Sequence, residues 1–304
     1  MLSDRNIEIE NVGHYGLVEN KLKLMALNMF KWSNLPNGLK SENIEKALYY
    51  HGQAIMFEHE DLGLVMLASS NNGQVNIYGE PITVNATGFN ENKIVSVENG
   101  LDRHRYLEIE YTKGILCKNN DLMLPTHSFV KDYAKKMYEV ERAININVKQ
   151  QKFPFMIATN TKKLLSDKEL MRKFENGDMA IFHSQDYDLS KMQSLNFNVP
   201  YVVDKLQTYK QQLEQEILTF FGDNNTNTSK KERMVVDEVN ANNEYILKML
   251  DIFHKTRLQF VEEVNNYYGL DIKVDITNRL IKEELDKLYS YDDEVIDNVE
   301  NIGS

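Results

Sequence analysis

At 304 residues, with 42% hydrophobic and 10% aromatic side chains, the chain holds enough apolar material for one elongated or two modest domains, which excludes wholesale disorder. Its 46 acids against 35 bases leave a formal charge of −11, excluding a protein that grips nucleic acid through a broad basic face; contact with a polyanion must be local or weak. One cysteine, Cys117, excludes an internal disulfide and a CxxC site and fits a reducing compartment, and neither a signal-peptide pattern nor an apolar run of about 18 residues is present, so a soluble intracellular chain is expected.

Residues 1–13 are polar without a clear period, and a poorly ordered tail is expected there. Over 15–32 the apolar positions Leu17, Leu22, Leu24, Met25, Leu27, Met29 and Phe30 predict a helix that stops before Asn34-Leu35-Pro36-Asn37-Gly38. A shorter helix over 41–51 follows, with Ser41 as its cap and Ile44, Ala47 and Leu48 on one buried face; the two are expected to pack as a pair. Between 53 and 116 the pattern changes to short runs (AIMF, LGLVMLA, VNIYG, ITVNATGF, KIVSV, RYLEIEY, ILC) separated by the turn signals Asn72-Gly73, Gly79-Glu80-Pro81 and Asn99-Gly100. Tyr106, Glu108 and Glu110 alternate with Leu107, Ile109 and Tyr111, and the whole predicts a small antiparallel barrel or curled sheet of about five or six strands inserted into a helical frame.

Helical spacing resumes at Phe129, Tyr133, Met137, Val140 and Ile144, predicting a long helix over 126–150; Pro125 falls where a missing N–H leaves nothing unpaired. Residues 152–198 mix two strands (PFMIAT, MAIFHS), a polar helix over 166–175 and a loop ending at Val199-Pro200. This α/β unit feeds a long helix at each end, which places it at their far tip as the cap of a stalk. The second long helix covers 201–221 through Val202, Val203, Leu206, Leu213, Ile217, Phe220 and Phe221, with Gly222 just past its end. A third runs from near Asn243 to Gly269 through Ile246, Met249, Leu250, Phe253, Val261, Val264 and Tyr268, about 38 Å of rod. Between them, 223–242 shows no periodicity, and a loop of about 20 residues inside a compact domain marks a functional or disordered segment. Its basic cluster, Lys230, Lys231 and Arg233, is mixed with Glu232 and followed by Asp237 and Glu238; composition alone favours a solvated turn. A short strand over 271–274, a helix over 278–289 and an acidic tail over 292–304 complete the chain.

Catalytic signals are sparse. Glu58-His59-Glu60-Asp61 with His51 is the densest ligand-like cluster, but it lacks HExxH spacing and reads as a polar turn. Asp102-Arg103-His104-Arg105 reads as a solvated loop with phosphate binding as the lesser alternative. No GxGxxG, Walker A or nucleophile signature occurs, so no catalytic residue, metal or cofactor is assigned and an enzyme is not expected.

The blocks Pro200-Tyr201-Val202-Val203-Asp204-Lys205-Leu206, Thr219-Phe220-Phe221-Gly222, Lys230-Lys231-Glu232-Arg233-Met234-Val235, Asp237-Glu238-Val239 and Tyr268-Gly269-Leu270 carry a resemblance, in this order and spacing. They resemble the upper collar, or head–tail connector (portal), proteins of small short-tailed bacteriophages that replicate by protein priming. Phe30-Lys31-Trp32-Ser33-Asn34-Leu35-Pro36, and Asn119-Asn120-Asp121 with Pro125-Thr126, look like that family too, so the resemblance spreads over most of the chain.

The resemblance implies an α+β fold in which long stem helices carry a small SH3-like β-barrel wing and a small α/β clip, assembled as a ring of about twelve subunits. It implies a division into N-terminal tail and wing helices (1–52), wing barrel (53–124), stem helix (125–151), clip (152–199), stem helix (200–222), tunnel loop (223–242), wing spine (243–270) and a crown-like C-terminal segment (271–304). Double-stranded DNA would pass through the channel for packaging, retention and ejection, touching Lys205, Lys230, Lys231 and Arg233. Implied partners are further copies of the chain, the major capsid protein, the packaging ATPase and the lower collar or tail proteins, with no membrane; the location is the virion at a capsid vertex, and host cytoplasm during assembly. Asn196 stands where relatives can carry a second channel lysine, and the mixed-charge start Met1-Leu2-Ser3-Asp4-Arg5 lacks the basic arm that holds packaging RNA, so no RNA partner is expected. A structural capsid or tail component without DNA contact is the alternative. A soluble DNA-binding enzyme or regulator would need a catalytic cluster or compact basic face, and the sequence has neither.

Overall fold

The computed structural model describes residues 2–36, 38–88, 91–97, 112–152, 156–157, 192–193, 200–222, 236–278, 281–283 and 285. The chain divides into two compact units: Met1–Lys135 with Glu214–Ser304, and Lys136–Leu213.

In the first unit, α1 (Leu2–Leu27) leads into strand β1 (Phe30–Ser33) and α2 (Ser41–His51). Two expectations are corrected here. Residues 2–13 continue α1 rather than forming a poorly ordered tail; no proline interrupts the stretch, and Gly13 and Gly16 are accommodated within the helix. The expected helix to Trp32 ends at Leu27 because Phe30-Lys31-Trp32-Ser33 has a period of two: Phe30 and Trp32 are buried, Lys31 and Ser33 exposed. That strand pairs antiparallel with β9 (Lys273–Ile276), Phe30 opposite Ile276 and Trp32 opposite Val274. Ser41 does not cap α2; its Oγ accepts from the Trp32 N–H at 3.1 Å, while Asn43 Oδ1 accepts from the Lys40 N–H at 3.2 Å.

The barrel closes with five strands: β2 (Gln53–His59), β3 (Gly63–Asn71), β4 (Thr83–Gly88), β5 (Glu91–Val97) and β6 (Lys113–Lys118). Four seams are antiparallel, but β5 and β6 close it in parallel, correcting the all-antiparallel expectation. The strand expected at RYLEIEY lies outside the described residues. Both faces of β2 are buried: Ile55 and Phe57 fill the barrel with Val84, Ala86, Val95 and Leu116, while Ala54 and Met56 join the outer core against the helices. This is why AIMF reads as an unbroken apolar run instead of an alternation.

α5 (Val236–Tyr268), 33 residues or about 50 Å long, spans this core, burying Ile246, Leu250, Phe253, Phe260 and Val264. It begins seven residues earlier than expected, so 236–242 are helical rather than loop; residues 223–235 lie outside the described residues. Past Gly269, Asn265 fastens the chain back: its Oδ1 accepts from Ile272 N at 2.8 Å and its Nδ2 donates to Ile272 O at 2.9 Å. Ile281 and Leu285 add to the core, and the acidic tail lies outside the described residues.

The second unit holds the later part of α3 (His127–Lys152), the start of α4 (Val203–Phe220) and a two-residue antiparallel pair, β7 (Met156–Ile157) with β8 (Met192–Gln193). Met156 faces Gln193, in what was expected to be loop. The expected polar helix over 166–175 and the MAIFHS strand lie outside the described residues.

Candidate functional site

Among the described residues of the first unit, the most concentrated polar chemistry is buried between α5, α2 and the end of the barrel. Arg257 is 2% exposed and Glu45 3% exposed. Arg257 Nε and Nη2 grip Glu45 Oε1 and Oε2 at 3.0 and 2.8 Å; Nη2 also reaches Asn119 Oδ1 at 3.2 Å, and Nη1 donates to Phe253 O at 2.9 Å and Asn119 O at 3.3 Å. All five guanidinium N–H groups therefore have acceptors. Trp32 Nε1 donates to Glu45 Oε1 at 2.8 Å, and the Phe30 ring lies 4.3 Å from the guanidinium carbon. Asn119 Nδ2 donates to Leu124 O and Thr126 Oγ1, at 2.8 and 3.0 Å. Segments far apart in the chain, around Trp32, Asn119 and Thr126, thus converge on one ion pair that ties helices to barrel. Burial pushes the neighbouring Cys117 thiol up, against the opposing charge of Arg257, so it is no nucleophile at neutral pH.

Sequence reasoning missed this pair, although a signal was present. Arg257 falls between Phe253 and Phe260 on the face of α5 that periodicity assigns to the core, and Glu45 lies between buried Ile44 and Leu48. A charge at such a position demands a buried partner.

In the second unit, Asn147 of α3 is buried and clamps the entry to α4, its Nδ2 donating to Pro200 O at 3.1 Å and its Oδ1 accepting from Val202 N at 3.3 Å. Lys210 and Glu141 pair at 2.5 Å below this clamp. Lys205 lies on the exposed side of α4, with exposed Tyr209 one turn on. Exposed Arg142 and Lys149, seven apart on α3, share one helix face and were not singled out by the sequence. Of the four residues read as DNA contacts, Lys205 alone is described; Lys230, Lys231 and Arg233 lie outside the described residues.

Residues 5–281 match the family described as Phage Connector (GP10). The chain belongs to the phage connector family. It is a bacteriophage connector, and the mixed fold with a closed five-stranded barrel agrees with the sequence expectation. Among solved structures, it is similar to a chain of "Portal and tail of native bacteriophage P68", with 96% of this chain and 97% of that chain covered at 16% identity and a TM-score of 0.43.

Other polar clusters of this connector have structural explanations. His59 ends β2, and its Nδ1 accepts from Asp61 N at 3.1 Å, while Glu60 pairs with Lys93 at 3.2 Å, giving the polar turn expected at Glu58-His59-Glu60-Asp61. Among the described residues no three His, Cys, Asp or Glu side chains are grouped to hold a metal, and no helix is long and apolar enough to cross a membrane. Asp102-Arg103-His104-Arg105 lies outside the described residues.

A cleft of about 330 Å³ separates the barrel end from α5, lined in part by Glu80, Lys118, Phe260, Glu262 and Glu263. Glu263 is exposed by surface area, but partial desolvation against the cleft raises its carboxyl above the ordinary range, opposed by the charge of Lys118 and reinforced by that of Glu262. A carboxyl raised in the fold favours folding fully in acid below its ordinary value, and that contribution is lost as pH rises through the raised value. Glu263→Gln is therefore expected to have a slightly higher thermal midpoint than the parent at neutral pH, the gain kept small by solvent screening of an exposed carboxylate, with the difference closing in acid. A difference independent of pH would refute the burial account.

Proposed function

We propose that about twelve copies of this connector form a ring at one capsid vertex, through which double-stranded DNA is packaged, retained and ejected. The observation that carries the reading is the family match over residues 5–281. In this reading the stem (125–151 and 200–222) bounds the channel, the clip (152–199) leaves the shell, the tunnel loop, cut back to 223–235 by the early start of α5, faces the DNA, and the N-terminal tail and wing helices (1–52), the barrel (53–124), the spine (236–270) and the C-terminal segment (271–304) build the wing and crown. The ring seats against the major capsid protein and receives first the packaging ATPase and then the lower collar and tail proteins. It assembles in host cytoplasm and ends in the virion.

A channel for sliding DNA must not hold it tightly, because each neutralised phosphate adds affinity through counterion release. With a net charge of −11 per chain, sparse cations on an otherwise acidic protein meet that demand. Lys205, exposed on α4, and Lys230, Lys231 and Arg233 of the tunnel loop are the proposed contacts, weak singly and repeated by the ring. They resist backward slippage without fixing the DNA in place.

The test replaces Lys205, Lys230 and Lys231 with alanine. The variant is expected to form particles of wild-type size by light scattering and to enter capsids, while heads lose packaged DNA, read as a several-fold fall in the fraction of full heads. Full heads as stable as wild type would refute the retention role and favour a structural component without DNA contact. A wild-type chain that stays monomeric at assembly concentrations would refute the ring.

A further inference from the structure

The loop between β3 and β4 is fixed by one asparagine. Asn76 Oδ1 accepts from the N–H groups of Tyr78 and Glu80, both at 2.9 Å, and its Nδ2 donates to Glu80 Oε2 at 2.9 Å. Its backbone N–H meets Glu80 O at 2.9 Å, Gly79 N returns to Asn76 O at 3.0 Å, and Val75 bridges Pro81. The tip held this way displays Ile77, 87% exposed, beside Tyr78, 74% exposed. Single exposed apolar residues are ordinary. A pre-ordered loop presenting two large ones together is suited to insertion, because little ordering entropy remains to be lost on contact.

The same unit contains an apolar receptor. Met25, Met29, Phe221, Leu250 and Ile276 line an open groove of about 340 Å³, with Asn28 and Asn278 at its polar edge.

We propose that the Ile77–Tyr78 knob of one copy seats in this groove of the next copy, as a head-to-tail contact of the connector. The inference rests on the ring reading above. Knob and groove are different patches of one chain, and a contact between unlike patches is the kind that generates rings, whereas a self-matched patch closes a dimer. Identical copies carrying −11 each repel at long range, and apolar burial at a knob-in-groove contact offsets that repulsion. The groove is at the small end of the range for binding pockets, a size suited to one aliphatic and one aromatic side chain.

Cys117 is the only cysteine and is fully buried, so introduced thiols report alone. Ile77→Cys and Met25→Cys are made separately and together in the full chain, particle size is measured by light scattering, and a short bis-maleimide is added. The double variant is expected to give a ladder of covalent multimers on a denaturing gel, and an equimolar mixture of the single variants to give dimers; neither single variant alone should cross-link. Assembled rings without the ladder overturn the proposal and leave the ring intact as a reading. Dimers from Ile77→Cys alone overturn it in favour of a self-matched contact. A wild-type chain that stays monomeric overturns both. Ile77→Asp with Tyr78→Ser is expected to abolish ring assembly; normal rings that fail to enter capsids would make the knob a capsid contact and overturn the proposal as well.

Discussion

Arg257→Met is expected to destabilise the first unit by about 3–5 kcal/mol, the range for removing one partner of a buried ion pair. The methionine fills much of the space but leaves the Glu45 carboxylate, 3% exposed, without its guanidinium partner, Trp32 Nε1 still donating to it. It also strips Asn119 O, Asn119 Oδ1 and Phe253 O of the guanidinium donors that reach them at 2.9 to 3.3 Å. Against a typical total stability of about 5–15 kcal/mol, a loss of this size is a large fraction of the whole. Glu45→Met with Arg257→Met removes both charges and is expected to recover part of it, because an apolar pair leaves no buried charge uncompensated. The reporter is built in: Trp32 is the only tryptophan and touches the pair, so its fluorescence follows urea unfolding at this junction. A loss below about 1 kcal/mol for the single variant, or no recovery in the double, would show that the pair does not tie helices to barrel.

Gly52→Ala is expected to be the most damaging Gly→Ala substitution among the described residues. Gly52 caps α2 at φ +75°, where an L side chain is strained by about 1–2 kcal/mol. The added Cβ would also collide with the Met123 carbonyl oxygen and stand 2.9 Å from Pro125 N, both backbone atoms of the turn that holds Asn119. Gly52 O in turn accepts from Asn119 N at 2.8 Å, so any shift that relieves the collision loosens the Arg257 junction. Gly63→Ala is the internal control: its φ of +71° is nearly the same, but nothing lies within 4 Å of the new atom. Gly63→Ala should cost only the backbone strain, and Gly52→Ala clearly more, seen as a lower thermal midpoint and poorer soluble yield. Equal losses in the two variants would refute the steric account.

Legibility in the sequence followed the range of each interaction. α3, α4 and the later part of α5 are readable because their apolar positions recur every three or four residues, a pattern written within one element. The barrel is readable from turn signals and short apolar runs, and the family from blocks of consecutive residues. β1 was misread as helix because its four residues abut the apolar face of α1, and its strand state is decided by β9, with Lys31 opposite Asp275. The parallel β5–β6 seam has the same origin, since pairing partners are chosen by closure rather than by local period.

By itself, then, the sequence determined the helical rods, the barrel, the overall acidity and the connector family, all of which rest on local spacing or contiguous motifs. Tertiary structure alone decided that Glu45 and Arg257, 212 residues apart, share one buried site with Trp32 and Asn119. It also decided that Ile77 and Tyr78 stand out together from a loop fastened by Asn76. The reason is physical: periodicity tells which face of an element leaves water, but only chain closure determines what that face meets.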